Sequence, residues 1–209
     1  MTSIVVITAG ISQPSATRLL ADRLAAAISR ALGDLSTEFS VEIIELREYA
    51  RDLANNAVAG FPSPRLAAVI DRVTSADGLV AVTPIYTGSY SGLFKMFVDV
   101  LDPEALEGKP VLIAATAGTA RHALVLEHAM RPLFSYLHAV VVPTAVFAAT
   151  EDWASGGDLG DRIERAAVQL ARLLGPAAQQ PANETAGQLD AEVIPFERLL
   201  AGQPASARA

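Results

Sequence analysis

Apolar positions along this chain alternate between two periods. Ser3–Ala9 (SIVVITA) is apolar on both faces, as expected for a strand buried inside a parallel sheet. Leu20, Leu24, Ala27, Ile28 and Ala31 then form one stripe of an amphipathic helix. The alternation repeats. Strands are predicted at Val41–Leu46, Gly78–Val82, Val111–Thr116 and Ala139–Val142, the last able to resume after Pro143. Helical stripes are predicted through Leu66, Val69, Ile70 and Val73; through Leu93, Phe94, Phe97, Val98 and Leu101; through Leu126, Met130, Leu133, Phe134 and Leu137; and through Leu159, Ile163, Ala167, Leu170 and Leu174. Asn55–Pro64 reads as loop. Strand–helix alternation predicts an α/β fold. Right-handed crossovers put helices on both faces of a five-stranded parallel sheet in the order 2-1-3-4-5. Such sheets bind ligands beyond the carboxyl ends of their strands, where the strand order reverses, here beside the first and third strands.

The periodic part fills residues 1–175 and is expected to be one domain. Residues 176–209 read as a linker rich in Pro, Ala, Gln and Gly and a tail, with an apolar segment at 193–200 (VIPFERLL) expected to pack on the core or on a partner subunit. Net charge is −7, which disfavours nucleic acid. There is no Cys, so thiolate metal sites and cysteine nucleophiles are absent and redox chemistry needs a cofactor. No His or carboxylate pair has metal-ligand spacing, so no metal is expected. The chain opens into a strand without a basic leader, and no apolar run is long enough to span a bilayer. The expectation is a cytoplasmic protein.

Three segments following strands carry candidate chemistry. Gly10–Arg18 (GISQPSATR) brings the hydroxyls of Ser12, Ser15 and Thr17 to the start of a helix, where free N–H groups and a partial positive charge suit a phosphate. The same residues are ordinary helix caps, and the segment lacks the ending of a Walker loop. Thr83–Lys95 (TPIYTGSYSGLFK) has a Pro, two glycines and two tyrosines, fit for a tight backbone beside a flat ligand or for an ordinary turn with packing tyrosines. Ala117–His122 (AGTARH) can aim backbone N–H groups from a Gly-containing turn, or simply be solvated.

At these residues the chain resembles the NAD(P)H-dependent FMN reductase family. TPIYTGSYSGLFK is similar to its pattern of Thr-Pro-x-Tyr, a small-residue turn, then Ser/Pro-Gly-x-Leu/Phe-Lys. AGTARH, followed by AMRPLFSYL and VFA, is most similar to the branch that supplies reduced flavin to two-component alkanesulfonate, methanesulfonate or luciferase-like monooxygenases. The resemblance implies a flavodoxin-like three-layer sandwich, FMN with NADPH or NADH as cofactors, a flavin-dependent monooxygenase as partner, and a homodimer or homotetramer. It places the FMN phosphate on Ser12, Ser15, Ala16 and Thr17. It places the isoalloxazine against Pro84, Ile85, Tyr86, Thr87, Gly88 and Ser89, and its pyrimidine edge at Ala117, Gly118 and Thr119 with His122 nearby. Lys95, Arg121 and Arg18 are candidates for nicotinamide-nucleotide phosphates. No side chain is expected to be catalytic, because the cofactors carry the chemistry.

The chain departs from the family in having Ser12 where Arg is common, Thr87 where Asn is common and Ile85 where Glu is common. Arg18 is the candidate replacement for the lost charge. In the sulfonate-system reductases one helix carries an extra residue at a π-bulge, and His128 in LEHAMRP matches that insertion. The resemblance then puts His128 at a tetramer interface near the flavin sites; otherwise it is a partly exposed helical histidine. His138, before a strand, reads as structural. A tightly bound FMN quinone or azo-dye reductase and a flavodoxin-type electron carrier are the alternatives sharing this fold.

Overall fold

The computed structural model describes residues 1–35, 38–154 and 158–175; residues 176–209, with the apolar segment 193–200, lie outside that set. The chain runs β1 (Thr2–Thr8), α1 (Ala16–Asp34), β2 (Phe39–Glu45), a 3-10 turn (Leu46–Tyr49), α2 (Ala50–Ala59), α3 (Pro64–Ser75), β3 (Gly78–Tyr86), β4 (Ser89–Tyr90) and α4 (Gly92–Val98). It continues with β5 (Pro110–Ala117), a 3-10 turn (Ala120–His122), a π-helical turn (Leu126–Met130), α5 (Arg131–Tyr136), β6 (Val140–Val141), β7 (Val146–Ala149), a 3-10 turn (Thr150–Trp153) and α6 (Asp158–Leu174).

The sheet order is β2-β1-β3-β5-β6, with β7 also on β5, and every pairing among these strands is parallel. The fifth position is thus shared by two short strands separated at Pro143, and the order of parallel strands is the expected one. Because side chains alternate across a strand, each strand feeds two cores. Val5 and Ile7 pack with Leu53, Val69, Phe94 and Phe134 on one face. Ile4 and Val6 pack with Leu24, Ile28, Ile163 and Leu170 of α1 and α6 on the other. These layers hold the ends of β1, β3 and β5 side by side at one edge of the sheet.

The structure corrects several boundaries. Asn55–Ala59, read as loop, is helical: α2 continues until Gly60 takes a left-handed φ of 80° and donates its N–H to Asn56 O at 2.8 Å. The third strand does not stop at Val82 but runs to Tyr86, so Pro84, Ile85 and Tyr86 are strand residues. Pro84 is tolerated there because β1 pairs with β3 only as far as Val82, whose carbonyl accepts from Ala9 N at 3.0 Å. Two residues further on, the missing N–H of proline faces the side where β1 has already left the ladder.

β4 has no counterpart among the predicted strands. It turns back on β3 as an antiparallel hairpin, pairing Ile85 with Tyr90 and Tyr86 with Ser89. The two turn residues, Thr87 and Gly88, both have positive φ, 50° and 81°. A two-residue hairpin turn with that signature favours Asn-Gly, and a β-branched residue is disfavoured in the left-handed region. Replacement Thr87→Asn is therefore expected to raise stability by about 0.5–1 kcal/mol. A thermal melt of the two proteins checks this; a lowered midpoint would contradict the turn assignment.

Candidate active site

The first segment is held from below. Ser15 caps α1, its Oγ accepting from Arg18 N at 3.2 Å. Thr17, in the first turn, is buried, and its hydroxyl pairs with that of Thr116 at 2.8 Å across 99 residues of sequence. This bond ties the start of α1 to the end of β5. A side chain at Gly10 would displace the Ser15 cap, since its Cβ would lie 2.1 Å from Ser15 Oγ and 3.0 Å from Thr17 Cβ. The N–H groups of Ala16 and Thr17, in the first helical turn, have no intrahelical acceptor. At the end of β1 the hydroxyl of Thr8 is buried without a partner among the described residues. The loop therefore offers free backbone donors at a positive helix end, which fits a phosphate.

A concavity of about 290 Å³ opens beside this loop, lined by Ser12, Gln13, Ser15, Arg18, Glu45 and Arg47 among others. Arg18 is committed to carboxylates: Nε to Asp22 at 2.9 Å and Nη1 to Glu45 at 2.5 Å. The hydrogen bond to Asp22, followed by the fields of Asp22 and Glu45, raises its pKa further, against some desolvation. The spare charge expected of Arg18 is thus already engaged.

The second segment is fixed by a buried network. Thr83 Oγ1 accepts from Ser91 N at 3.1 Å and donates to Pro84 O at 3.0 Å, while Ser91 Oγ caps α4 by accepting from Phe94 N at 3.2 Å. Hairpin and helix start are thereby locked together. Pro84 and Ile85 are buried, with Ile85 in the core, so their side chains do not line an open face and only their backbone can. Tyr86, Thr87 and Gly88 are exposed at the hairpin tip, and Ser89 is half-buried.

The third segment leaves β5 at Ala117, half-buried, with Gly118, Thr119 and His122 exposed. His122 meets the hairpin: it shares a shallow cavity of about 240 Å³ with Gly88, Arg121, Leu124, Val125, His128 and Ala129. His128 sits in the π-helical turn, as the resemblance implies, and is exposed. Its N–H reaches Leu124 O at 3.0 Å, while the next turn is widened by one residue. Lys95 is engaged with Asp99. His138 has a φ of 58°, and its carbonyl accepts from Gly108 N at 2.9 Å, a structural role.

The structure therefore gathers the three segments at one edge of the sheet. It adds Gln13, Glu45 and Arg47, which sequence reasoning did not single out. Their signal was topological. β2 neighbours β1 with Glu45 opposite Thr8, so residues just past β2 must flank the first loop. Among the described residues, no helix is long and apolar enough to cross a membrane.

Strand ends of this kind, carrying a capped helix start, a tight hairpin and a glycine turn, are where a doubly wound α/β protein binds its ligand. Residues 2–154 match the family model described as NADPH-dependent FMN reductase. The chain is 38% identical over 176 residues to an FMN reductase (NADPH) of Pseudomonas aeruginosa, covering 82% of this chain and 92% of that one. It is 37% identical over 177 residues to the NADH-dependent FMN reductase SfnE of Pseudomonas putida, covering 83% and 92%. An oxidoreductase structure from Corynebacterium diphtheriae superimposes with a TM-score of 0.81 at 48% identity, covering 83% of this chain and 97% of that one. The chain belongs to the NADPH-dependent FMN reductase family. It is an NAD(P)H-dependent FMN reductase, with FMN and a nicotinamide nucleotide as its cofactors.

Proposed function

We propose that this enzyme reduces FMN as an exchanging substrate and passes the reduced flavin to a flavin-dependent monooxygenase. The observation that carries the reading is the π-helical turn Leu126–Met130, whose His128 lines the same shallow cavity as Gly88 of the hairpin. π-turns are rare and concentrate at functional sites. Here one re-aims a helix surface beside the loop that takes the isoalloxazine. Leu124 and His128 are exposed at this cavity, which suits a homo-oligomeric interface, a dimer or a tetramer, bordering the flavin.

The first loop holds the FMN phosphate through the N–H groups of Ala16 and Thr17, with Ser12 and Ser15 beside it. Backbone of residues 84–89 lies along the isoalloxazine, and the N–H groups of Gly118 and Thr119 face its pyrimidine edge. Hydride transfer from nicotinamide C4 to flavin N5 belongs to the bound groups. The protein's part is to orient them and to place donors where the reduced ring gains negative charge, in the manner of an oxyanion hole.

The test is NAD(P)H oxidation by the purified protein with and without added FMN. Colourless protein that turns over only with added FMN is the expected result. Bright yellow protein active alone would favour a bound-flavin quinone or azo-dye reductase. Deleting His128 is expected to restore a regular helix, tighten FMN retention and lower flavin transfer to a monooxygenase. A deletion variant that releases FMN and transfers it as before would remove the functional part of this reading.

A further inference from the structure

The concavity beside the first loop holds an arginine whose Nη edge meets a neutral amide rather than an anion. Arg47 follows β2 in the 3-10 turn and is mostly covered, its side chain 22% exposed. Its Nε is anchored on Glu45 Oε2 at 2.7 Å, which fixes the plane of the guanidinium. Nη1 and Nη2 are directed at the first loop, where the acceptor within reach is the amide oxygen of Gln13. Turned toward Arg47, that oxygen accepts from Nη1 at 2.7 Å and from Nη2 at 2.6 Å. An uncharged amide oxygen is therefore receiving the paired edge of a guanidinium, an edge whose geometry matches two oxygens of one phosphate or carboxylate.

The surrounding charges favour this edge over its neighbour. Arg18 spends Nε and Nη1 on the carboxylates of Asp22 and Glu45, whereas Arg47 spends only Nε on a carboxylate and gives its Nη edge to a neutral amide. The four charges of Arg18, Asp22, Glu45 and Arg47 cancel, so the concavity exerts little net pull on an anion at a distance. Recognition here must come from directed donors at short range. The wall is completed by Ser12 and Ser15, on the loop that leads into the free N–H groups of α1.

We propose that Arg47, with Gln13 as its gate, is a specificity-determining residue that reads a terminal phosphate monoester. In the bound state the Nη edge leaves the Gln13 oxygen and pairs with phosphate oxygens lying over the first loop. Two ligands of this enzyme class carry such a group: FMN, at the ribityl 5′ end, and NADPH, at the ribose 2′ position. The inference rests on the FMN reductase reading, and its test separates the two.

Flavin fluorescence titrations give equilibrium affinities for FMN and for riboflavin, which lacks the phosphate. Steady-state KM values for NADPH and NADH form the second arm. Wild-type protein oxidising neither nucleotide with FMN present would sink the reductase reading on which the inference rests. With wild type active, Arg47→Ala is expected to weaken FMN about tenfold or more, the loss of a charge-assisted pair of hydrogen bonds, with riboflavin affinity kept within about twofold. If the NADPH/NADH preference collapses and the FMN/riboflavin ratio holds, the phosphate read is the nicotinamide nucleotide's. If neither ratio moves, the proposal is overturned.

Removing Arg47 also leaves Glu45 with one partner fewer, so a second variant guards against a folding defect. Gln13→Glu sits on an exposed loop position and gives Arg47 an internal carboxylate. It is expected to reproduce the loss of phosphate discrimination with an unchanged melting temperature. A Gln13→Glu protein that discriminates as wild type does would equally overturn the proposal.

Discussion

Phe94→Ala is expected to cost about 3–5 kcal/mol of stability, as large-to-small changes at a fully buried aromatic do. The ring is completely covered and lies between two others, with centroids 5.8 Å from Tyr90 and 6.2 Å from Phe134. Tyr90 belongs to the hairpin and Phe134 to the helix after the π-turn. One side chain thus joins the two elements that frame the second cavity, and each aromatic pair adds about 0.5–1.5 kcal/mol beyond the area it buries. The loss is a large share of a typical stability of about 5–15 kcal/mol. Urea unfolding gives the number, and the KM for FMN should rise because the hairpin loses its backing. Phe94→Leu refills most of the space and should cost less than half as much. An alanine variant losing under about 1.5 kcal/mol, the scale of a volume-conserving swap, would show that the site collapses freely and that the ring does not brace the hairpin.

Gly10→Ala is expected to be the most damaging single methyl group in the first loop. The added Cβ would sit 2.1 Å from Ser15 Oγ, 3.3 Å from Ser15 Cβ and 3.0 Å from Thr17 Cβ. Ser15 must leave its cap on Arg18 N, at about 1 kcal/mol, and Thr17 must shift while bonded to Thr116, adding an overpacking cost of about 1–3 kcal/mol. The donors of Ala16 and Thr17 move with them, so FMN affinity should fall by about tenfold or more, the equivalent of removing one directed hydrogen bond to the phosphate. Ser15→Gly in the same chain makes room and keeps an acceptable cap residue, so the double variant should recover part of both stability and binding. Fluorescence titration with FMN reads the affinity. Wild-type binding by Gly10→Ala alone would mean that this loop does not carry the phosphate.

What the sequence revealed and what it withheld divide along one physical line. Features written in local periodicity were legible: the strands at Ile4–Ile7 and Val111–Thr116, the stripes of α1 and α6, and the three segments that converge at one sheet edge. α2 was not, because Leu53 is its only buried residue and Asn55, Asn56 and Gly60 are residues that favour turns. With a single anchor a helix leaves no stripe to read. The end of β3 was misplaced because proline usually closes a strand. That Pro84 continues one depends on where β1 stops, a fact held by another segment. The Thr17–Thr116 bond and the approach of Arg47 to Gln13 are likewise products of strand adjacency. The extra residue at His128 was legible only by resemblance, since the apolar spacing of Leu126, Met130 and Phe134 fits an unbroken helix equally well.

The π-turn also has a bearing on how this polypeptide tolerates changes of length. Val125 and Met130, five positions apart, both face the interior, and from Met130 inward packing continues through Phe134 and Leu137. The surplus residue is swallowed within one turn, so neither flank is rotated relative to the other. Arg131, immediately beyond, keeps its grip on Glu127 and on the carbonyls of Val142 and Pro143 at the gap between β6 and β7. A one-residue deletion here therefore shortens the chain without exchanging inward and outward faces, whereas the same deletion in the middle of α1 would turn half of that helix away from its core. Residues 126–130 form a slot in which chain length is decoupled from the fold, and surface shape beside the flavin loop can be altered there in a single step.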